Sequence, residues 1–82
     1  MAPNSYDKLV QLMQDFISGK DQSLAHAHEI EGLLIKDFRD NEYVFDVLSE
    51  PVARYMPGGG VQLYDEFNLT QVFKDFLLSR NS

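Results

Sequence analysis

Apolar side chains recur three and four residues apart in four separate stretches of this chain, and nowhere do they alternate with polar ones in the strand manner. An all-α fold follows. In the first stretch Tyr6, Leu9, Val10, Met13, Phe16 and Ile17 share one helical face, with Asn4 or Ser5 available to cap its start and Gly19 to end it. A second helix is predicted with Ala27, Ile30, Leu34 and Phe38 inward, capped by Asp21 or Ser23. Ala25 and Gly32 in that helix form a small-residue seam that another helix could approach.

The third stretch starts near Asp40 or Asn41 and turns Val44, Phe45, Leu48, Val52 and Tyr55 inward. Pro51 removes a backbone donor and crowds the carbonyl of Val47, so a kink is expected there, or a break with Ser49 capping a short continuation. Pro57 and the glycines at 58–60 then stop the helix, and a surface loop of about eight to ten residues follows. Asn68 and Gln71 have capping-box spacing, flanked by Phe67 and Val72 at staple positions, and Leu69, Val72, Phe73 and Phe76 make the last inner stripe. The expectation is one domain, 1–82, built as a compact antiparallel four-helix bundle with helices near 5–18, 23–38, 41–55 and 68–79.

With no cysteine among its 82 residues, the chain has no disulfide, no thiolate nucleophile and no Cys-based metal site. Packing alone must hold it. No apolar run reaches the roughly 18 residues of a membrane span, and Met1 to Ser5 has no signal-like character, so a soluble cytoplasmic protein is expected. Thirteen acids against seven bases give a net charge of −6. Phosphate backbones are repelled by such a chain and basic proteins attracted, so direct nucleic-acid binding is disfavoured.

The acids are unevenly spread. From Asp37 to Glu50 there are five of them (Asp37, Asp40, Glu42, Asp46 and Glu50) against one base, Arg39. Glu42, Asp46 and Glu50 recur every four residues and drift only about 80° around a helix, so they share one face. Such an edge can draw in a cationic partner and fix its register. Tyr43 and Tyr64 are candidate aromatic anchors beside it, and Asp65 and Glu66 candidate extensions. The bland alternative is a solvated helix face partly neutralised by Lys36 and Arg39.

Other constellations are weaker. His26 and His28, two apart, point about 200° away from each other on a helix and do not form a zinc pair, so no metal is expected. The glycines at 58–60 lack the lysine and the following helix of a phosphate loop and read as a flexible connector. No nucleophile elbow and no carboxylate pocket is visible, so neither catalysis nor a cofactor is expected. Asp21-Gln22-Ser23-Leu24 resembles the Asp-Ser-Leu phosphopantetheine site of acyl and peptidyl carrier proteins, which would make Ser23 an attachment site, although Gln22 interrupts the motif. An acidic adaptor or antirepressor that binds a basic regulatory protein is a further reading.

Across most of its length the chain resembles the bacterial immunity proteins of the colicin D type and their self-protective colicin-like relatives. The shared elements are Tyr6 and Leu9 before Phe16-Ile17-Ser18-Gly19-Lys20, a helix ending Leu34-Ile35-Lys36-Asp37, then Phe45-Asp46-Val47-Leu48 with Tyr55 and Pro57, then Tyr64-Asp65-Glu66 and a closing helix from Leu69 to Leu78. The glycines at 58–60 stand where a longer aspartate-rich stretch would follow the tyrosine. The resemblance implies a non-enzymatic bacteriocin immunity protein that covers the basic active site of a nuclease toxin. Its contacts would be Asp37, Asp40, Glu42, Tyr43, Asp46, Glu50, Tyr64, Asp65 and Glu66.

Overall fold

Four helices form in chain order, α1 (Pro3–Ile17), α2 (Leu24–Asp37), α3 (Glu42–Ala53) and α4 (Glu66–Asn81). They belong to a computed structural model that describes residues 3–81, with the side chains of 5–79. Each helix lies against the next in the chain, and α4 closes back on α1, so the four make a ring around a shared interior. The radius of gyration is 11.8 Å, as expected for a close-packed domain of this length.

The inward stripes are those the periodicity predicts. Leu9, Met13 and Phe16 of α1, Ala27, Ile30 and Leu34 of α2 with Phe38 at its C-terminal cap, Val44, Leu48 and Val52 of α3, and Leu69, Phe73 and Phe76 of α4 are all buried, with Leu12 added on the same face of α1. Phe16 sits at the centre. Its ring meets Tyr55 edge-on at 5.1 Å and Phe73 edge-on at 5.4 Å, so α1 is joined through one side chain to the exit of α3 and to α4. Edge-to-face pairs of this kind add about 0.5–1.5 kcal/mol each beyond the area they bury. Tyr6 lies tilted on Phe38 at 6.1 Å and closes the other end.

The helix ends follow from local chemistry. Gly19, at φ +84°, closes α1: its N–H donates to the Phe16 carbonyl and that of Lys20 to the Asp15 carbonyl, a Schellman arrangement that a side-chain-bearing residue would strain. Ser23 caps α2 by accepting from the His26 N–H, and Asn41 caps α3 by accepting from the Val44 N–H. Ser5 does not cap α1. That helix begins earlier, and the buried Ser5 hydroxyl instead donates to Asp37 at 2.6 Å, while the Asn4 side chain lies outside the described residues.

Three expectations are corrected. The helix does not break at Pro51, because the proline lies in its last turn, where only the bond to Val47 is forfeited and the ring gains burial in return. Among the described residues no helix approaches the Ala25 and Gly32 seam; both residues are exposed, and a Cβ added to Gly32 would meet nothing within 4 Å. Finally, α4 starts a turn earlier than Asn68. The Asp65 carboxylate accepts from the Asn68 N–H at 2.8 Å, and the Asn68 side chain accepts from the Asp65 N–H, so the capping box is Asp65 to Asn68 and Phe67 is left exposed.

The Tyr55 hydroxyl donates to the Gln22 carbonyl, tying the α1–α2 connection to the end of α3. Burial, and then the carboxylates of Glu66 and Asp65, push this phenol up to about 12 from 10.0. The folded protein thus holds the proton more tightly than the unfolded chain, so the stabilisation is complete below pH 10 and is lost as the pH rises toward 12. Tyr55→Phe is expected to cost about 1 kcal/mol at neutral pH through the lost hydrogen bond and to remove this alkaline fall, which urea titrations across pH 7–12 would measure. Phe16→Ala is expected to cost about 3–5 kcal/mol, a large part of the roughly 4–12 kcal/mol available to a domain this small, and to lower the thermal midpoint followed by helical circular dichroism by more than about 10 °C, on the order of 4–8 °C per kcal/mol.

Candidate functional site

α3 carries three parallel rows of side chains at four-residue spacing, each about 100° around the helix from the next. Val44, Leu48 and Val52 form the buried row, Tyr43, Val47 and Pro51 the middle row, and Glu42, Asp46 and Glu50 the outermost. All three outer acids are exposed, at intervals of about 6 Å along the axis. The burial of the first row dictates the exposure of the third.

Charge along this ridge is little compensated. Glu50 lies 3.5 Å from Arg54 one turn later, an exposed pair worth little in water. Glu42 and Asp46 form no ion pair among the described residues, and neither Lys36 nor Arg39 reaches the ridge. Glu42 also stands in the first turn of α3, where the helix dipole favours a negative group. At this end Asp37, Asp40, Asn41 and Glu42 border one open depression of about 570 Å³. Asp37 is half-buried and spends one oxygen on Ser5, whereas Asp40 is exposed.

Tyr43 stands beside the ridge and is already oriented. Its ring stacks on Phe76 at 5.7 Å, and its hydroxyl lies 2.8 Å from that of Ser79, so it leans across to α4 with half its surface open to solvent.

Tyr64, Asp65 and Glu66 lie away from the ridge and are engaged within the fold. The segment 54–65 is fastened to itself rather than left as a loose connector: the Met56 N–H donates to the Tyr64 carbonyl and the Tyr64 N–H to the Arg54 carbonyl, forming a bridge between Tyr55 and Tyr64. Asp65 caps α4, and Glu66 accepts from the Gly58 N–H at 2.9 Å. Gly59, at φ +81°, brings the turn so close that a Cβ there would lie 3.2 Å from the Asp65 Cβ. These carboxylates hold the neck of the loop beside Tyr55, at the opposite end of α3 from Glu42. The sequence signal that could have shown this is the aspartate three residues before Asn68.

His26 and His28 diverge as their spacing requires. His28 is exposed, whereas the buried His26 makes a 2.8 Å hydrogen bond from Nε2 to the Leu12 carbonyl and places Nδ1 3.5 Å from Asp21. Among the described residues no three His, Asp or Glu side chains gather as a metal site would require. The Ser23 hydroxyl is engaged twice, accepting from the His26 N–H and donating to Asp21 at 2.7 Å; bonds from the Ser23 side chain and backbone lower the Asp21 pKa. Among the described residues no helix is long and apolar enough to cross a membrane.

Comparison with protein-family models, with curated proteins and with solved structures finds no match for this chain. The geometry alone therefore separates acids that hold the fold from acids that do not. Asp65→Ala should lower stability by about 1 kcal/mol, a fall in Tm of roughly 4–8 °C, because it uncaps α4. Asp46→Ala should change stability by no more than about 0.5 kcal/mol. Parallel thermal melts followed by circular dichroism make the comparison.

Proposed function

We propose that this protein is a non-enzymatic, cytosolic immunity protein of the bacteriocin type, which protects its host by binding a nuclease toxin and covering the toxin's basic active site. The observation that carries the reading is the ridge of α3: Glu42, Asp46 and Glu50 stand exposed in one line, with Glu42 and Asp46 unpaired among the described residues. A nuclease must be basic where it grips phosphate, and evenly spaced carboxylates on a rigid helix present to that site the charge of its substrate without a bond to cleave. The resemblance to colicin D-type immunity proteins points the same way.

In this reading Asp40, Glu42, Asp46 and Glu50 pair with lysine and arginine of the toxin, and Tyr43, held by Phe76 and Ser79, supplies a preset apolar contact. Asp37 contributes its free oxygen at the edge. Asp65 and Glu66 act indirectly by keeping the end of α3 and the start of α4 in place. A carrier role is less well supported, because modification of Ser23 would release the hydroxyl that caps α2.

The test is protection of cells against a nuclease toxin encoded by the adjacent gene. Asp46→Lys with Glu50→Lys should abolish protection and weaken toxin binding by on the order of 100-fold or more, with helix content unchanged. Wild-type association should slow steeply as salt is raised, since the attraction is screened beyond about 8 Å at physiological ionic strength. Full protection by the double variant would remove the ridge from the mechanism. Binding to a basic transcription factor instead of a nuclease would assign the ridge to an adaptor.

A further inference from the structure

Between the ridge of α3 and the outer side of α4 runs a shallow groove of about 380 Å³, lined by Tyr43, Val47, Pro51, Val72, Asp75, Phe76 and Ser79. Its floor is apolar: Val47 is exposed and Val72 partly so, with Pro51 and Phe76 buried beneath them. Tyr43 crosses one end, stacked on Phe76 and joined to Ser79. The charged side chains along it are acidic on both banks, with Asp46 and Glu50 one helical position behind Val47 and Pro51, and Asp75 on α4. Arg54 lies one turn beyond Glu50, 3.5 Å from it, outside the groove lining. Lys74 precedes Asp75 by one position and stands about 160° from Phe76, on the other flank of α4.

Apolar floor and anionic banks together define what fits. A second copy of this chain, at net charge −6, would bring acid to acid, so it is disfavoured as the occupant. We propose that this groove seats a basic amphipathic segment of the partner protein, which lays a large apolar side chain on Val47, Val72 and the open face of Tyr43 while flanking lysines or arginines reach Asp46, Glu50 and Asp75. This rests on the reading above that the partner is a basic protein, and it adds where that partner is gripped. The ridge accelerates encounter, whereas a buried anchor slows departure. Burial of one such side chain corresponds to on the order of 10- to 100-fold in affinity.

The probe is a fluorescent amphipathic helical peptide of lysine and leucine, compared with a version carrying serine in place of every leucine. The full chain is expected to bind the leucine peptide at least about 10-fold more tightly than the serine peptide. Amide chemical shifts should change at Val47, Val72 and Phe76. Val47→Ser, which alters no charge, should erase most of the difference, with thermal melting confirming the fold, and Asp75→Lys should weaken both peptides. Equal affinity for the two peptides would overturn the proposal, as would shift changes confined to Val61 and Leu63 of the loop. So would a wild-type dimer in sedimentation that Val47→Ser dissociates. Groove binding by a chain that protects against no nuclease would remove the immunity reading and leave the groove; protection unaffected by Val47→Ser would do the reverse.

Discussion

The contact on which this molecule depends is the insertion of the Phe16 ring between Tyr55 and Phe73. With no disulfide available, buried side chains and hydrogen bonds must link distant parts of the chain. Phe16 joins the first helix to both elements that flank the loop, and the Tyr55 hydroxyl then ties the α1–α2 connection to the same point. A short chain concentrates its cohesion in a few large aromatic residues because each removes much apolar surface at a small cost in side-chain freedom.

That inner arrangement determines the outer one. On α3 the row that faces Phe16's neighbourhood is Val44, Leu48 and Val52, and a helix that buries one row must expose another. The acids therefore need no interaction of their own to be held in line; the core aligns them from behind. The middle row is half-covered by α4 and becomes the floor of a groove. Exposed acids, groove floor and core thus fall on adjacent rows of a single helix.

Much of this was legible in the sequence. The four helices and nearly every inward residue followed from spacing, since burial of an apolar stripe is the largest favourable term in a chain of this size. What spacing missed was hydrogen-bond competition. Asn68 and Gln71 had the right separation for a cap, yet Asp65 and Asn68 have the same separation and satisfy each other reciprocally, so the helix took the extra turn. Ser5 looked like a cap and became an inter-helix donor, because its partner Asp37 is remote in sequence and invisible to local pattern. Within the site, the exposed row of α3 was readable. The structural duty of Glu66 was not, because it depends on Gly58 folding back to within reach.

The neck that joins Tyr55 to Tyr64 has an architectural consequence. Once the two feet of a loop are fixed, its crown is insulated from the helices below. For a flexible crown, each doubling of its length costs only about 0.6 kcal/mol of closure entropy. Val61, almost wholly in solvent, is therefore the natural place for insertions, deletions or an added epitope. A scaffold pinned in this way can exchange one decorated crown for another without refashioning its interior.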